Sequence, residues 1–587
     1  MNTFRIKKTS GTYSELLETY GLSNTLYRLF TALGEPDVDI IITDKNLFYE
    51  VSTSIEITDD MINSLSYFGL FKYIKNKIDS ESTQITNNQY FDYPKNKEWK
   101  KERSDAIQKI RTDYKGKDKE DERNKKINDI ISIYETNKPI DVEFDVYAQI
   151  SSPNNFSSFE KLYKNINNNR EIFQMLTREI LAYYSSDAYD SKSFEGMIKS
   201  NHISFQKNIT ATQLFNPSQG QGLNKLKADG LNRTNLDSYW VIETMKISGA
   251  LSDMICQLVK VGGSYDLKVF VPEYKQVNYG FKYKLMPDLK KYLKGNTPVQ
   301  IDIIYILSLT QKILEHSKYS GGKKHVKDIV TGLHSVYQKN LGKNKAVVNI
   351  GFIQVPNFIE IGNQEENADW IEILEEQKNI IYSVKENISG VTQGLKLYRD
   401  FISGSDINSF FKFSFWYAVY LTSMKSKNKY VRAFSTKTLD KIYINMTQNF
   451  NLMEIIHNEG FQAVAKAIRK STVTLQYTPK DKRKYEIRYG IAQTLQTKSK
   501  SKEDLAEFIG EFIATYNSET ARYYEKNGKS FRSNVREDEL IKFYSLANQY
   551  SSRLIGSLLA SYGFALTAKD NNDVEDNDGN NEDNNEK

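Results

Sequence analysis

The tract Phe215-Asn-Pro-Ser-Gln-Gly-Gln-Gly-Leu-Asn-Lys-Leu-Lys-Ala-Asp-Gly230 gathers three kinds of group that can grip an anion. Gly220 and Gly222 let the backbone approach a partner closely. Asn216, Gln219, Gln221 and Asn224 supply amide donors and acceptors, while Lys225 and Lys227 add positive charge. Backbone amides, side-chain amides and ammonium groups hold phosphates and read base edges. They do not make a proton-transfer site. The competing reading is an ordinary surface turn.

A second array lies further along the chain. Residues 430–500 hold 13 Lys/Arg against 5 Asp/Glu. Within Phe461-Gln-Ala-Val-Ala-Lys-Ala-Ile-Arg-Lys470, helical spacing turns Phe461, Val464, Ala465 and Ile468 toward a core. The same spacing leaves Lys466, Arg469 and Lys470 toward solvent. Lys482, Arg483, Lys484 and Arg488 follow, with Tyr477, Tyr485 and Tyr489 interleaved. Such bases neutralise a phosphate backbone and such rings stack on unpaired bases. A solvated face is the alternative.

Catalytic constellations do not survive inspection. The five histidines are scattered, without an HExxH run or a His-Asp doublet. One cysteine, Cys256, rules out a thiolate-rich zinc site and any disulfide within the chain. It lies in an apolar run and is read as packing. Gly220-Gln-Gly222 lacks the third glycine of GxGxxG, where Lys225 stands. Gly528-Lys-Ser530 ends like a phosphate loop, but Tyr523 occupies the place of its first glycine. Pro287-Asp288 could open a nuclease core, yet Glu315-His-Ser-Lys318 is one residue too long to complete it. No catalysis, metal or cofactor is expected.

The elements that must position these groups read as α+β. The first part, residues 1–361, is expected to be a mixed α/β domain. Helical patterns cover 15–33, 59–78 and 299–316. A hairpin pairs 38–42 with 47–52, and further strands are expected at 140–146, 266–271, 279–285 and 346–355. The mixed-charge stretch 95–126, with 13 bases and 8 acids, reads as a solvated helix or an insertion.

The polar run 362–369 marks a boundary, and residues 370–569 read as a helical bundle. Leu505, Phe508, Ile509, Phe512, Ile513 and Tyr516 form one apolar stripe there, behind Ser501 and Asp504 as a helix start. Leu540, Phe543, Ala547, Tyr550 and Leu554 form another.

Charge is unevenly spread. The net charge is +6, but residues 570–587 carry eight acids and one lysine, leaving +13 on residues 1–569. A basic body favours a polyanionic partner, and the Asn/Asp/Glu tail is expected to be disordered. The strongest apolar run, 301–309, is about half the ~20 residues that cross a bilayer. The start of the chain lacks the apolar core of a signal peptide. A cytoplasmic protein is expected, with no membrane partner.

Three stretches, in this order, carry a family resemblance. The first is Thr25-Leu-Tyr-Arg-Leu-Phe30 followed by Phe48-Tyr-Glu-Val51. The second is Phe215 to Lys225 with Tyr239-Trp-Val-Ile-Glu-Thr-Met-Lys246. The third is Gly460 to Val473 with Tyr485-Glu-Ile-Arg-Tyr-Gly-Ile-Ala492, continuing through Phe512-Ile-Ala-Thr-Tyr-Asn-Ser-Glu519 to Ala560-Ser-Tyr-Gly-Phe-Ala565. Over about residues 15–566, apart from 95–126, the chain resembles the Cas-eight family, the large subunits of type I CRISPR surveillance complexes (Cascade), and within it the type I-B branch.

The resemblance implies a non-catalytic subunit beside the 5′ handle of the CRISPR RNA, with Cas-five, Cas-seven and Cas-six types of subunit as companions. It implies recognition of the protospacer-adjacent motif in target double-stranded DNA, help in opening it, and docking of the Cas-three helicase-nuclease for antiviral defence. Asn216, Gln219, Gln221 and Asn224 would then touch bases or the minor groove, with Lys225 and Lys227 on flanking phosphates. The basic bundle would guide the displaced strand of the R-loop. Some members also make the C-terminal part separately by internal translation, for which Met424, Met446 and Met453 are candidate starts. A metal-dependent nuclease with a degenerate site, or a stand-alone RNA-binding structural protein, remain as alternatives.

Overall fold

The structure is a computed structural model. It describes residues 1–75, 90–115, 120–136, 157–185, 189–218, 237–261, 264–292, 297–317, 324–341, 344–385, 390–446 and 452–567. The expected strand 140–146 and the acidic tail lie outside these residues. The fold is α+β, with sheets in the N-terminal half and helices dominating the C-terminal half. The chain divides into two units, one of Met1–Leu293 with Asp328–Ile353 and one of Lys294–Lys327 with Gln354–Lys587.

The first unit holds two four-stranded sheets. One runs, in spatial order, Thr3–Lys7, Phe48–Thr53, Ile40–Asp44 and Gln276–Asn278, all antiparallel. Phe4, Ile6, Ile40, Ile42, Tyr49 and Val51 alternate inward and are buried. Lys45 N donates to Phe48 O, closing the turn of the expected hairpin. The other sheet runs Asn344–Gln354, Val330–Leu341, Ser264–Tyr274 and Ile255–Val261. Cys256 is buried there, opposite Val269.

Helix Ser14–Ala32 is buried along almost its whole first half and packs on helix Trp240–Asp253. Their backbones nearly touch. A Cβ on Gly21 would stand 1.8 Å from Met245 O, and one on Gly249 would stand 1.9 Å from Leu17 O. Only glycine permits that approach. Asn24 Nδ2 then bridges the helices, donating to Ser248 O at 3.1 Å and Ser252 Oγ at 2.9 Å.

Two expectations fail in this unit. Residues 279–285 are not a strand but the start of helix Tyr279–Tyr292. Tyr279 and Tyr283, four residues apart, both stack on Tyr27, a contact that helical spacing provides. The helix expected over 59–78 stops after Asp59–Asn63, and Tyr73–Lys75 is a strand parallel to Tyr90–Asp92. Tyr67 and Phe68 pack edge-on against Phe173, which draws that segment away from helical geometry. The mixed-charge stretch is helical, as Tyr93–Asp113 and Glu120–Thr136.

Among the described residues, the second unit is built of helices with one small two-stranded sheet, Lys324–His325 against Glu360–Ile361. Helix Pro298–His316 belongs here, packed on Gln364–Ser383 and Val391–Gly404. A helix starts in the polar run read as a boundary, with the Asn363 side chain accepting from Glu366 N at 2.8 Å. Leu505, Ile509, Phe512, Ile513 and Tyr516 are buried on helix Lys502–Asn527, and Ser501 caps it. The other stripe is split between Glu537–Gln549 and Ser552–Tyr562, because Ser551 caps a new helix. No helix among the described residues is long and apolar enough to cross a membrane.

Candidate nucleic-acid interface

Helix Glu459–Ser471 starts on Asn458, whose side chain accepts from Phe461 N at 3.1 Å. Phe461, Val464, Ala465 and Ile468 are buried, as the spacing requires. Lys466 is exposed and Lys470 half-buried. Arg469 corrects the solvent-facing assignment: it is 4 % exposed, and its Nε and Nη2 donate to Tyr562 O at 3.3 and 3.1 Å. Tyr562 ends helix Ser552–Tyr562, and the negative end of a helix is a favourable place for a cation.

The cluster that follows also divides. Pro479 precedes a short 3₁₀ turn, Lys480–Lys482, and Arg483 Nε donates to Thr478 O at 2.9 Å. Lys482 and Lys484 are exposed. Arg488 is a rivet rather than a phosphate ligand. It donates to Glu519 Oε1, lies over the Phe512 ring, and its backbone N–H reaches Ser471 O. Glu519 Oε2 accepts from Arg532 at 2.9 Å. Arg532 is buried between the rings of Tyr485 and Tyr516, 3.7 and 3.9 Å from their centroids.

That sandwich changes the reading of the tyrosines. Tyr485 is committed to Arg532. Tyr477 donates to Val431 O and accepts from Ala433 N, with Lys425 over its ring. Only Tyr489 of the three keeps an exposed ring (45 %) without such a commitment.

The structure supplies aromatic replacements that the sequence reading passed over. Lys484 lies 5.3 Å from the Phe531 ring, and Phe531 meets Tyr523 edge-on. Phe531 and Tyr524 are 44 % and 57 % exposed, and Arg522, Lys526 and Lys529 are exposed around the same helix end. Gly528, in the left-handed conformation at the C-cap, turns the chain back toward this group. The signal lies in Arg522-Tyr-Tyr-Glu-Lys526-Asn-Gly-Lys529-Ser-Phe531, an interleaving of bases and rings that overlaps the incomplete phosphate-loop pattern.

In the first unit, Asn216 is not a base reader. It is 6 % exposed, and its Nδ2 donates to Thr212 O at 3.0 Å and Glu243 Oε1 at 3.3 Å. Its Oδ1 accepts from Lys246 Nζ at 2.7 Å and Ser14 Oγ at 3.1 Å. An amide with both ends used inside the protein anchors the start of the tract to two helices. Burial pushes the Glu243 carboxyl above its usual range, against the opposing pull of Lys246. Gln219, Gln221, Asn224, Lys225 and Lys227 lie outside the described residues.

Among the described residues, no group of three or more His, Cys, Asp or Glu side chains is placed to hold a metal ion. No family model matches the chain, and no curated protein matches it.

Proposed function

We propose that this chain is a non-catalytic, nucleic-acid-gripping large subunit of a type I CRISPR surveillance complex, of the I-B kind. The observation that carries this reading is in the helical unit, where Lys484 lies 5.3 Å from the exposed Phe531 ring and Lys482, Tyr524, Lys526 and Lys529 are also exposed. Cations for phosphates and rings for unpaired bases are what a displaced single strand requires. In RNA-guided recognition, pairing with the guide carries most of the sequence information. The protein then needs backbone contacts and one short base-reading element. Lys466, Lys470, Lys482, Arg483 and Lys484 serve the backbone in this reading. Gln219, Gln221, Asn224, Lys225 and Lys227 remain the candidates for the motif in duplex DNA. Strand cleavage belongs to a Cas-three helicase-nuclease.

The test is affinity purification of the tagged chain from its native host, with mass spectrometry and RNA sequencing. Guide RNAs sharing a constant 5′ handle, recovered with Cas-five- and Cas-seven-type subunits, are expected. Recovery of neither, with no binding of single-stranded DNA at low ionic strength, overturns the proposal. Mg²⁺-dependent cleavage by the chain alone, abolished by one carboxylate substitution, assigns it to the nucleases instead.

A further inference from the structure

A cavity of about 560 Å³ opens beside Asn216 in the first unit. Strand Thr3–Lys7 and helices Ser14–Ala32, Phe173–Ser185 and Trp240–Asp253 all contribute to its walls. Neither the exposed lysine surface nor the amide tract accounts for it. Its size falls within the range of small-molecule sites.

Three sets of groups face this space. Tyr183 and Tyr239 stack with centroids 5.7 Å apart, and Tyr189 meets Tyr183 edge-on at 5.0 Å. The hydroxyls of Tyr189 and Tyr239 both donate to Glu179, which fixes the rings. Deeper in, Glu18 accepts from Tyr184 OH at 2.9 Å. Burial lifts its carboxyl to about 7 against the pull of Lys246, with Glu15 and Glu243 adding to the rise. Glu15 is itself saturated by the backbone and hydroxyls of Thr9 and Ser10. On the rim, Arg5 and Lys7 lie two residues apart on one exposed strand face, with Arg5 3.8 Å from Glu50.

We propose that this cavity receives one unstacked nucleotide, its base against the Tyr183–Tyr239 wall, its polar edge toward Glu18, and its phosphate toward Arg5 and Lys7. Aromatic faces bind any base by stacking. A carboxyl group is a donor or acceptor for base edges, and a pair of cations suits a phosphate. A duplex, whose major groove alone is about 12 Å wide, does not fit a space of this volume. The inference extends the nucleic-acid reading given above but concerns a different set of residues.

The test uses the full-length protein and calorimetric titration with the four ribonucleoside and four deoxyribonucleoside 5′-monophosphates. Ribose 5-phosphate and inorganic phosphate serve as controls. Saturable binding of at least one nucleotide, about tenfold or more tighter than ribose 5-phosphate, is expected. A preference for the ribo or the deoxy series identifies an RNA or a DNA source. The double variant Arg5→Ala/Lys7→Ala, on an exposed strand face, should weaken the nucleotide about tenfold and the corresponding nucleoside less than twofold. Tyr239→Phe should retain binding and Tyr239→Ala should lose it, with melting temperature reporting whether each variant folds. No binding of any nucleotide at millimolar concentration, or equal binding of ribose 5-phosphate, overturns the inference. These variants leave Lys482, Arg483 and Lys484 untouched. Absence of nucleotide binding by the parent protein, with undiminished binding of a long single strand, therefore separates failure here from failure of the proposed function.

Discussion

Arg469 and Lys484 carry the same charge and do opposite things. The guanidinium of Arg469 satisfies a helix-end carbonyl 93 residues away in sequence, whereas Lys484 stands in solvent beside Phe531. Arg469→Ala should cost about 2–3 kcal/mol of stability, since it removes two charge-assisted hydrogen bonds and leaves the buried Tyr562 O with only a long bond from Ala565 N, and urea unfolding should show that loss equally at low and high salt. Lys484→Ala should change stability by less than about 0.5 kcal/mol while weakening single-strand binding. An inverse pattern would exchange the two assignments. Spacing alone could not separate them. It set Arg469 beside the apolar stripe, but the partner that draws it inward is visible only once Ser552–Tyr562 has been placed.

Glu273 provides a second residue-level prediction. It accepts from Tyr49 OH at 2.5 Å and Lys8 Nζ at 3.3 Å, and His334 Nε2 lies 3.2 Å away. Burial would raise its carboxyl, but the His334 contact and charge, then Tyr49 and Lys8, outweigh it and hold the group down at about 2. A depressed carboxyl stabilises the fold above its unfolded value, about 4.3. That contribution, on the order of 3 kcal/mol, fades as pH falls toward 2. Glu273→Gln should therefore flatten the melting-temperature profile between pH 5 and 2. An acid limb identical to the parent's would remove this role.

At the scale of elements, the Gly21–Gly249 crossing is the closest approach at any glycine among the described residues of the first unit. Alanine at either position would drive a methyl group into a carbonyl oxygen. Gly21→Ala and Gly249→Ala should each cost about 3 kcal/mol or more, read as a large fall in melting temperature or as insoluble expression. Gly196, on helix Lys192–Ser200 with nothing near its Cβ position, is the control. Alanine there should be neutral or stabilise by up to about 1 kcal/mol. If all three behave alike, the close approach is wrong.

Element types were readable wherever periodicity was unambiguous, as in the hairpin 40–53 and helix Lys502–Asn527. They were misread where one pattern served two periods. Tyr279, Phe281, Tyr283 and Leu285 alternate like a strand, yet Tyr279 and Tyr283 also sit one helical turn apart. Tyr27 on a distant helix decides between them. The aromatic group at Phe531 stayed hidden for a related reason: the run Arg522 to Phe531 also spells most of a phosphate loop, and Lys484 joins its rings from a separate segment.

At the scale of the whole molecule, long-range charge governs association more than fold. The +13 on residues 1–569 should make single-strand affinity fall steeply with salt. Replacing Lys482, Arg483 and Lys484 together by alanine should lower the slope of log K against log salt by about 2. The melting temperature should fall only slightly, because Lys482 and Lys484 are exposed and Arg483 gives up one bond, to Thr478 O in a surface turn. An unchanged slope would move the contact elsewhere. The α+β class was legible from patterning alone. The passage of the chain between units was not, because helix 299–316 looks the same in either.

The helical unit is entered twice, first over Lys294–Lys327 and again from Gln354. Helix Pro298–His316, from the first visit, is bonded to the second: Asn367 Nδ2 donates to Leu314 O, and Gln300 Nε2 donates to Ile381 O and Val384 O. A polypeptide begun at Met424, Met446 or Met453 forgoes all of these, along with Phe410 and Phe413, whose rings pack on Phe434. Such a fragment would be born with one wall of its interior missing. It would have to find a foster surface on another polypeptide or aggregate.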